Sequence, residues 1–192
     1  MNLRKFDELA SYKVDFRNLL AQDMTEWKFY MEIISAYFEN RGVKRPIVVE
    51  IGLMHNAQKR FYAEMLDAEH IGIDMNYNSE PDILADSQKP GTIEELKVKL
   101  KGQMIDLLFI DGNHSYESVK LDFEIYAPLT KHIIAIHDIS ATVNSQVMRY
   151  WNELKYDDRY LTVDLNHFNG RPDKERGIFK DMGIGLIIKD VK

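Results

Sequence analysis

Five successive apolar runs of the chain end in carboxylates, the residues with the most chemical potential in the sequence. These are Glu50, Asp74, Asp86, Asp111 and Asp138. If the runs are parallel strands, their carboxyl ends meet at one edge of a sheet, where ligands bind in open α/β folds. Clustered carboxylates repel one another unless hydroxyl donors, amines or a cation lie among them. The pattern therefore predicts a polar ligand site at this edge.

The first run leads into Gly52, which permits a tight turn and a close approach by a ligand. The residues that follow, Leu53 to Ala57, contain no further glycine, so a full G-x-G-x-x-G turn is absent. That absence argues against a pyrophosphate-binding turn and against NAD. A P-loop, G-x-x-x-x-G-K-[ST], is also absent from the sequence, which excludes P-loop phosphoryl transfer.

The next two carboxylates are spaced as in an adenosine site. Asp74 lies about 22 residues beyond Gly52, where an acid accepts hydrogen bonds from both hydroxyls of an adenosine ribose. Asp86 and Ser87 lie at the following strand end, within reach of an adenine amino group. The alternative for Asp86 and Ser87 is that they cap a turn.

The densest group of polar residues lies between Ile105 and Glu117. Asp111 ends a strand, a glycine turns the chain, and His114 follows three residues later as a potential general base. The next strand ends on His137 and Asp138, which places a second acid beside the first. Two carboxylates with water suit Mg²⁺ or another divalent ion, and the two histidines keep zinc as a lesser alternative. For His114, the alternative is a hydrogen bond to its own loop.

Elements that could position these residues are visible in the hydropathy pattern. Short apolar runs separated by helix-like segments indicate parallel strands buried on both faces, with helices on each side. The runs are Ile47–Ile51, Ile71–Ile73, Ile83–Ala85, Leu107–Ile110 and Ile133–Ile136, and the helix-like segments lie near 57–68, 92–101, 115–127 and 143–155. Two further runs, at 160–165 and 184–188, predict a closing antiparallel hairpin. The predicted fold is α/β, a doubly wound and mostly parallel seven-stranded sheet.

The chain before Pro46 has a different pattern. Apolar residues between Asp23 and Gly42 recur at spacings of three and four, which predicts a helix, and residues 1–22 suggest another short one. We therefore expect residues 1–45 to form a helical segment packed on the core and residues 46–192 to form the main domain.

Composition limits the classes of function. The chain has 192 residues, no cysteine and a formal net charge of −6. It therefore has no thiolate metal site or cysteine nucleophile, and the acidic charge argues against a nucleic-acid partner. No apolar stretch approaches the ~18 residues of a membrane span. The charged N-terminus lacks the apolar region of a secretory signal, so we expect a cytoplasmic protein. A homo-oligomer is left open.

The motifs resemble those of one branch of the class I S-adenosylmethionine-dependent methyltransferases. That branch has a strand-end Asp-Ser, then I-D-x-x-F-I-D-G-x-H-x-Y-E-x-V-x-x-D, then H-D-I, as in Leu84–Ser87, Ile105–Asp122 and Ile134–Ile139 here. It includes small-molecule and sugar O-methyltransferases and cephalosporin hydroxylase-like proteins. The resemblance covers about residues 47–188 and implies a Rossmann-like methyltransferase domain.

The resemblance also implies roles for residues. Glu50 and Gly52 would line the methionine end of S-adenosylmethionine, with Asp74 at the ribose and Asp86 with Ser87 at the adenine. Asp111 would lie at the cofactor and, with Asp138 and the adjacent His137, would hold a divalent metal, with Mg²⁺ favoured. His114 would be the general base. One departure is the bulky loop after Gly52, where Leu53 and Met54 are expected to crowd the cofactor.

Residues and resemblance together predict metal-assisted O-methylation of a hydroxyl on a small molecule or sugar, with no nucleic-acid or membrane partner. Two alternatives come from other classes. One is a non-catalytic module of the same fold that binds an adenosine ligand. The other is a metal-dependent hydrolase or hydroxylase that uses the same acids, because fold alone does not determine chemistry.

Overall fold

The structure is a computed structural model that describes residues 3–11, 22, 24–140, 145–166 and 182–189. Within these residues the chain forms six α-helices and seven strands. The helices are α1 (Leu3–Ser11), α2 (Met24–Arg41), α3 (Gln58–Leu66), α4 (Pro90–Leu100), α5 (Tyr116–Tyr126) and α6 (Ser145–Lys155). The strands are β1 (Ile47–Ile51), β2 (Glu69–Asp74), β3 (Ile83–Leu84), β4 (Ile105–Ile110), β5 (Thr130–His137), β6 (Leu161–Leu165) and β7 (Ile184–Ile188).

The seven strands form one sheet in the order β3-β2-β1-β4-β5-β7-β6. Strands β1 to β5 are parallel, whereas β7 runs antiparallel to both β5 and β6. The chain reverses its direction of travel across the sheet between β1 and β4, which are neighbours. A crevice opens at such a reversal, beyond the carboxyl ends of the strands, and ligands of doubly wound folds bind there. The predicted fold class and the closing hairpin are both confirmed.

Both faces of the sheet are buried, as the continuous apolar runs predicted. Along β1, Val49 and Ile51 pack with residues of α4, α5 and α6, while Val48 packs with α1, α2 and α3 on the other face. This alternation follows from the two-residue period of a strand. Helix α2 packs on the same face of the sheet as Val48. Its buried residues Trp27, Tyr30, Met31 and Ile34 recur at spacings of three and four. The expectation that residues 1–45 form a separate segment stays a prediction.

Local signals explain where several helices begin. The Ser115 hydroxyl accepts a hydrogen bond from the Ser118 backbone N–H at 3.2 Å and so caps α5. Pro90 occupies the first turn of α4, where its missing N–H is not needed. None of the helices in the described ranges is long and apolar enough to cross a membrane.

Candidate functional site

The chain turns sharply at Gly52, beyond β1, because it passes against the end of β4. Gly52 has φ +81°, and a Cβ atom there would lie 2.1 Å from the backbone oxygen of Asp111. The Gly52 N–H donates to the Ile73 carbonyl at 2.9 Å, and the Asp111 N–H donates to the Ile51 carbonyl at 2.8 Å. Only glycine fits this position, which joins the ends of three strands at the floor of a cleft.

The loop after Gly52 differs in part from the expectation. Leu53 is fully buried and packs toward Gly72, so the prediction that it crowds the ligand is wrong. Met54 is 59% exposed and lines the cleft. Met54 and Asn56 have φ +48° and +55°, so the backbone adopts a left-handed conformation at two non-glycine residues.

Asp74 lies in the cleft and also secures that loop. Its Oδ2 atom accepts a hydrogen bond from the Leu53 N–H and its Oδ1 atom accepts one from the Asn76 N–H, both at 2.7 Å. A carboxylate oxygen has two lone pairs, so each can still accept a hydroxyl. The sequence suggested a ribose ligand here and gave no sign of the contact with Leu53.

Asp86 and Ser87 line the same cleft. Asp86 accepts a hydrogen bond from the Gln88 N–H at 3.0 Å, which is the turn-capping contact considered as its alternative role. The Ser87 hydroxyl donates to Asp122 at 2.7 Å, and burial raises the pKa of that carboxyl. Asp122 therefore belongs to the cleft wall and was not selected from the sequence, although it ends the D-G-x-H-x-Y block.

Glu50 is the one predicted site residue that the structure does not bring to the cleft. It has no exposed surface, and its Oε2 atom lies 2.7 Å from Nε2 of His70. The physical reason is strand alternation: Glu50 shares a face of β1 with Val48 and so points into the layer of α2 and α3. Burial raises the pKa of Glu50, opposed by its hydrogen bond with His70.

Three side chains that line the cleft lie close together: Asp111, His114 and Asp138. We call them the acid–histidine cluster. Nδ1 of His114 lies 3.1 Å from Oδ2 of Asp138, and its Nε2 lies 3.5 Å from Oδ1 of Asp111. One ligand atom from each residue falls within 4.8 Å of the others. Asp138 has φ +61°, a strained conformation for a non-glycine residue of the kind found at functional sites.

His137 lies behind the cluster instead of within it. Its Nδ1 atom is 3.1 Å from Oδ1 of Asp111, and its Nε2 atom is 3.7 Å from Oε1 of Glu26, a buried residue of α2. Nδ1 also lies 3.5 Å from Oδ1 of Asp138, so His137 contacts both acids. His114, which was predicted as the general base, offers a ligand atom beside the same two acids, and the predicted metal-ligand role of His137 stays a prediction.

The charges of these groups depend on one another. Burial alone would lower the pKa of His137, but the carboxylates of Asp111, Asp138 and Glu26 raise it to about 9. Burial would raise the pKa of Asp111, yet His137 and His114 bring it down to about 2. The hydrogen bond with Asp111 raises the pKa of His114, and burial raises that of Asp138. Without a metal, the imidazolium of His137 therefore offsets part of the charge of the acids.

Gln22 is a further residue that sequence reasoning missed. Its side-chain amide donates to Oδ2 of Asp111 at 3.2 Å, from 89 positions earlier in the chain. Together with Glu26, it brings the N-terminal part of the chain to the back of the site. No motif marks either residue, because their role depends on how α2 packs against the sheet.

The cleft fits both implied groups. Its volume of about 720 Å³ lies within the range of small-molecule sites, and Gly52, Asp74 and Asp86 all line it. Oδ1 of Asp138 is buried with no hydrogen-bond partner among the described residues, as expected of a group suited to bind a cation. Mg²⁺, Mn²⁺ and Zn²⁺ can all bind a site of two carboxylates and one imidazole, although they differ in their preference for oxygen or nitrogen ligands.

A doubly wound sheet with this cleft at its switch point defines an α/β protein of the methyltransferase type. Residues 49–139, from β1 to just past the end of β5, match the family model described as a methyltransferase domain. This match agrees with the resemblance of the sequence motifs to class I S-adenosylmethionine-dependent methyltransferases. No curated protein sequence is significantly similar to the chain.

Solved structures share the fold at low sequence identity. A candidate caffeoyl-CoA O-methyltransferase from Staphylococcus aureus is 18% identical, with a TM-score of 0.62 over 98% of this chain and 92% of that one. A Bacillus cereus O-methyltransferase in complex with S-adenosylhomocysteine is 13% identical, with a TM-score of 0.57 over 97% and 89%. MycE, a mycinamycin-pathway methyltransferase in complex with Mg and S-adenosylhomocysteine, is 15% identical, with a TM-score of 0.56 over 97% of this chain and 55% of MycE.

Proposed function

We propose that the protein transfers the methyl group of S-adenosylmethionine to a hydroxyl of a small-molecule or sugar acceptor, with a divalent cation at the acid–histidine cluster. The proposal rests on one observation: the cluster lines the same cleft as Gly52, Asp74 and Asp86. Structures with the same fold bind S-adenosylhomocysteine, and MycE also binds Mg. The same ligand classes therefore suit this cleft.

In this proposal the first three strand ends bind the cofactor. Gly52 allows the methionine part to pass close to the backbone, Asp74 accepts hydrogen bonds from the ribose hydroxyls, and Asp86 with Ser87 lies at the adenine. Asp74 is already held by two backbone N–H groups, so little side-chain freedom is lost when a ribose binds. Glu50 has no direct role, because it does not reach the cleft.

Asp111 and Asp138 would hold the cation, with water and the acceptor completing its coordination, as is common for Mg²⁺. When bound, the cation lowers the pKa of an acceptor hydroxyl that it contacts and orients the acceptor. His137 would stand behind Asp111 and fix its orientation, as residues that contact metal ligands commonly do.

His114 would take the proton of the acceptor hydroxyl. Its side chain is 42% exposed at the cleft, unlike the buried His137, so an acceptor can reach it. The carboxylates that raise the pKa of His114 would be engaged by the cation, which would weaken their effect on the ring and favour its neutral, proton-accepting form. The acceptor oxygen would attack the methyl carbon as the carbon–sulfur bond breaks and the hydroxyl proton passes to His114, giving a methyl ether and S-adenosylhomocysteine. A positioned base contributes about 10²–10⁴ to such a rate.

Two measurements test the proposal. Calorimetry with S-adenosylhomocysteine should show binding by the purified protein, and cell extract supplied with methyl-labelled S-adenosylmethionine should yield a labelled small molecule that resists mild base, as an ether does. EDTA should abolish labelling and Mg²⁺ should restore it. Labelling that survives EDTA and the double variant Asp111→Asn, Asp138→Asn would exclude the metal role. No binding of S-adenosylhomocysteine would exclude the transfer itself.

A further inference from the structure

A buried carboxylate outside the cleft is connected to Asp111 through a histidine ring. Glu26, on α2, is 3% exposed, and its Oε1 atom lies 3.7 Å from Nε2 of His137. The opposite ring nitrogen, Nδ1, lies 3.1 Å from Oδ1 of Asp111. The three side chains form a continuous row from the N-terminal helix layer to the floor of the cleft.

The row fixes the His137 ring from both sides. Rotating the ring about its bond to Cβ would break the contact with Asp111 and the ion-pair contact with Glu26 at once. The ring also packs near Phe109, with centroids 6.0 Å apart. Oδ2 of Asp111 is held separately by Gln22. Both oxygens of the Asp111 carboxylate are thus held by neighbouring side chains, Oδ1 by His137 and Oδ2 by Gln22.

We propose that Glu26 is a positioning residue for the cation site: it holds His137 so that His137 orients the carboxylate of Asp111 toward Asp138. The inference rests on the proposed function for the identity of the ligand, and on the distances above for the contact. Removing a residue that touches a metal ligand and not the metal, as His137 touches Asp111, typically weakens metal binding 10- to 100-fold. Glu26 acts through His137, so we expect a smaller loss when its charge is removed.

A purely structural role for Glu26 is the competing explanation. Its other oxygen, Oε2, accepts a hydrogen bond from the Gly183 N–H at 2.9 Å, at the entry to β7. The substitution Glu26→Gln separates the two roles. A glutamine retains an acceptor oxygen for the Gly183 N–H, but loses the negative charge that faces His137.

The chain offers a matched control at the opposite edge of the sheet. Oδ2 of Asp106 accepts a backbone N–H, that of Ile47, at 2.8 Å, while its Oδ1 lies 3.7 Å from Nε2 of His132. The pair therefore repeats the two contacts of Glu26, at the amino ends of the strands. Asp106→Asn removes the same charge from the same kind of contact, away from the cleft.

The test uses the full chain, freed of metal, with Mn²⁺ as the probe. Calorimetry and electron paramagnetic resonance should show Mn²⁺ binding weakened severalfold by Glu26→Gln, less than the 10- to 100-fold typical of a direct partner of a ligand, and changed less than twofold by Asp106→Asn. In the metal-free protein, the side-chain ¹³C carboxyl resonance of Asp111, assigned by its loss in Asp111→Asn, should shift in Glu26→Gln only.

Each result decides the matter. If Mn²⁺ binds the folded Glu26→Gln protein as tightly as the wild type, Glu26 is structural and the inference is wrong. If the wild type binds no Mn²⁺, the metal part of the proposed function fails. The Asp111 resonance then decides alone: a shift in Glu26→Gln supports the positioning role, and an unchanged resonance overturns it.

Discussion

Oε2 of Glu50 lies 2.7 Å from Nε2 of His70, and the two side chains form a pair with almost no contact with solvent. The ring of His70 stacks in turn on Tyr62 at 5.6 Å between centroids. The strand-end pattern predicted that Glu50 contacts the ligand, but its carboxylate is instead part of the buried packing between the sheet and the helices.

The first prediction concerns this pair. Glu50→Ala should reduce the free energy of unfolding by about 3–5 kcal/mol, because it leaves one partner of a buried pair without the other. The milder Glu50→Gln should fold and bind S-adenosylhomocysteine within twofold of the wild type. Urea unfolding and calorimetry measure the two quantities. If the folded Glu50→Gln protein bound S-adenosylhomocysteine tenfold more weakly, Glu50 would have a role in ligand binding after all.

The second prediction concerns the crossing at Gly52. Gly52→Ala should destabilise the protein far more than Gly102→Ala, although the two glycines have φ +81° and +82°. At Gly102 nothing lies within 4 Å of an added Cβ, so only the left-handed backbone opposes alanine, by about 1–2 kcal/mol. At Gly52 the Asp111 backbone oxygen must also move. Equal melting temperatures for the two variants would contradict this prediction, because they would show that the Asp111 backbone can move away from an added Cβ at little cost.

The third prediction assigns the ribose contact to Asp74. Asp74→Ala should weaken binding of S-adenosylhomocysteine by about 1.5–3 kcal/mol, the range for hydrogen bonds to a charged group. Asp74→Asn should lose less, because its amide oxygen can still accept the Leu53 N–H. Calorimetry on both variants checks this order, and unchanged affinity in Asp74→Ala would remove Asp74 from the cofactor site.

The fourth prediction concerns His114. His114→Ala should lower turnover about 10²-fold or more, while affinity for S-adenosylhomocysteine and the melting temperature barely change. The reason is that its ring is partly exposed and that its ion-pair contacts are with Asp111 and Asp138 of the cluster. Methyl transfer and a thermal melt are compared on the same samples. A variant that melts several degrees lower but turns over normally when folded would make His114 structural.

The fifth prediction is a pH dependence of stability in EDTA. The pKa of His137 rises from 6.5 to about 9 on folding, so its stabilisation is complete below pH 6.5 and is lost as pH rises through 9. The pKa of Asp111 falls to about 2, so its stabilisation is present above pH 3.8 and is lost as pH falls through 2. The alkaline loss should be on the order of 3 kcal/mol. Urea titrations should show it in the wild type and not in His137→Gln.

The fold was predictable because its signals are local. Each apolar run is long enough for a strand and too short for a helix, and the sequence between the final two runs has no clear helical pattern, which indicates a hairpin. Strand ends then follow directly, so Asp74, Asp86, Asp111 and Asp138 were expected at one edge. Strand lengths and strand ends depend on residues that are neighbours in the chain, so they can be predicted from the sequence alone.

The orientation of side chains was less predictable. Val48, Val49 and Ile51 are all apolar, so the run does not reveal which face Glu50 takes, and register was needed to exclude it from the cleft. His114 and His137 both lie near the acids in sequence, but only packing shows that both rings contact the acids and that His137 also reaches Glu26. Gln22 and Glu26 reach the site across the fold, and no local pattern could have indicated them.

The position of β7 has a consequence for the order of folding. β7 follows β6 in the chain, yet it lies between β5 and β6 in the sheet. During synthesis β6 therefore cannot join the sheet when it emerges, and the edge of β5 stays unpaired until β7 is available. Such late, non-local pairing slows folding and exposes an open edge to other chains. The Gly183 N–H that Glu26 binds arrives with the same strand, so the back of the site would be completed only in the last step of sheet assembly.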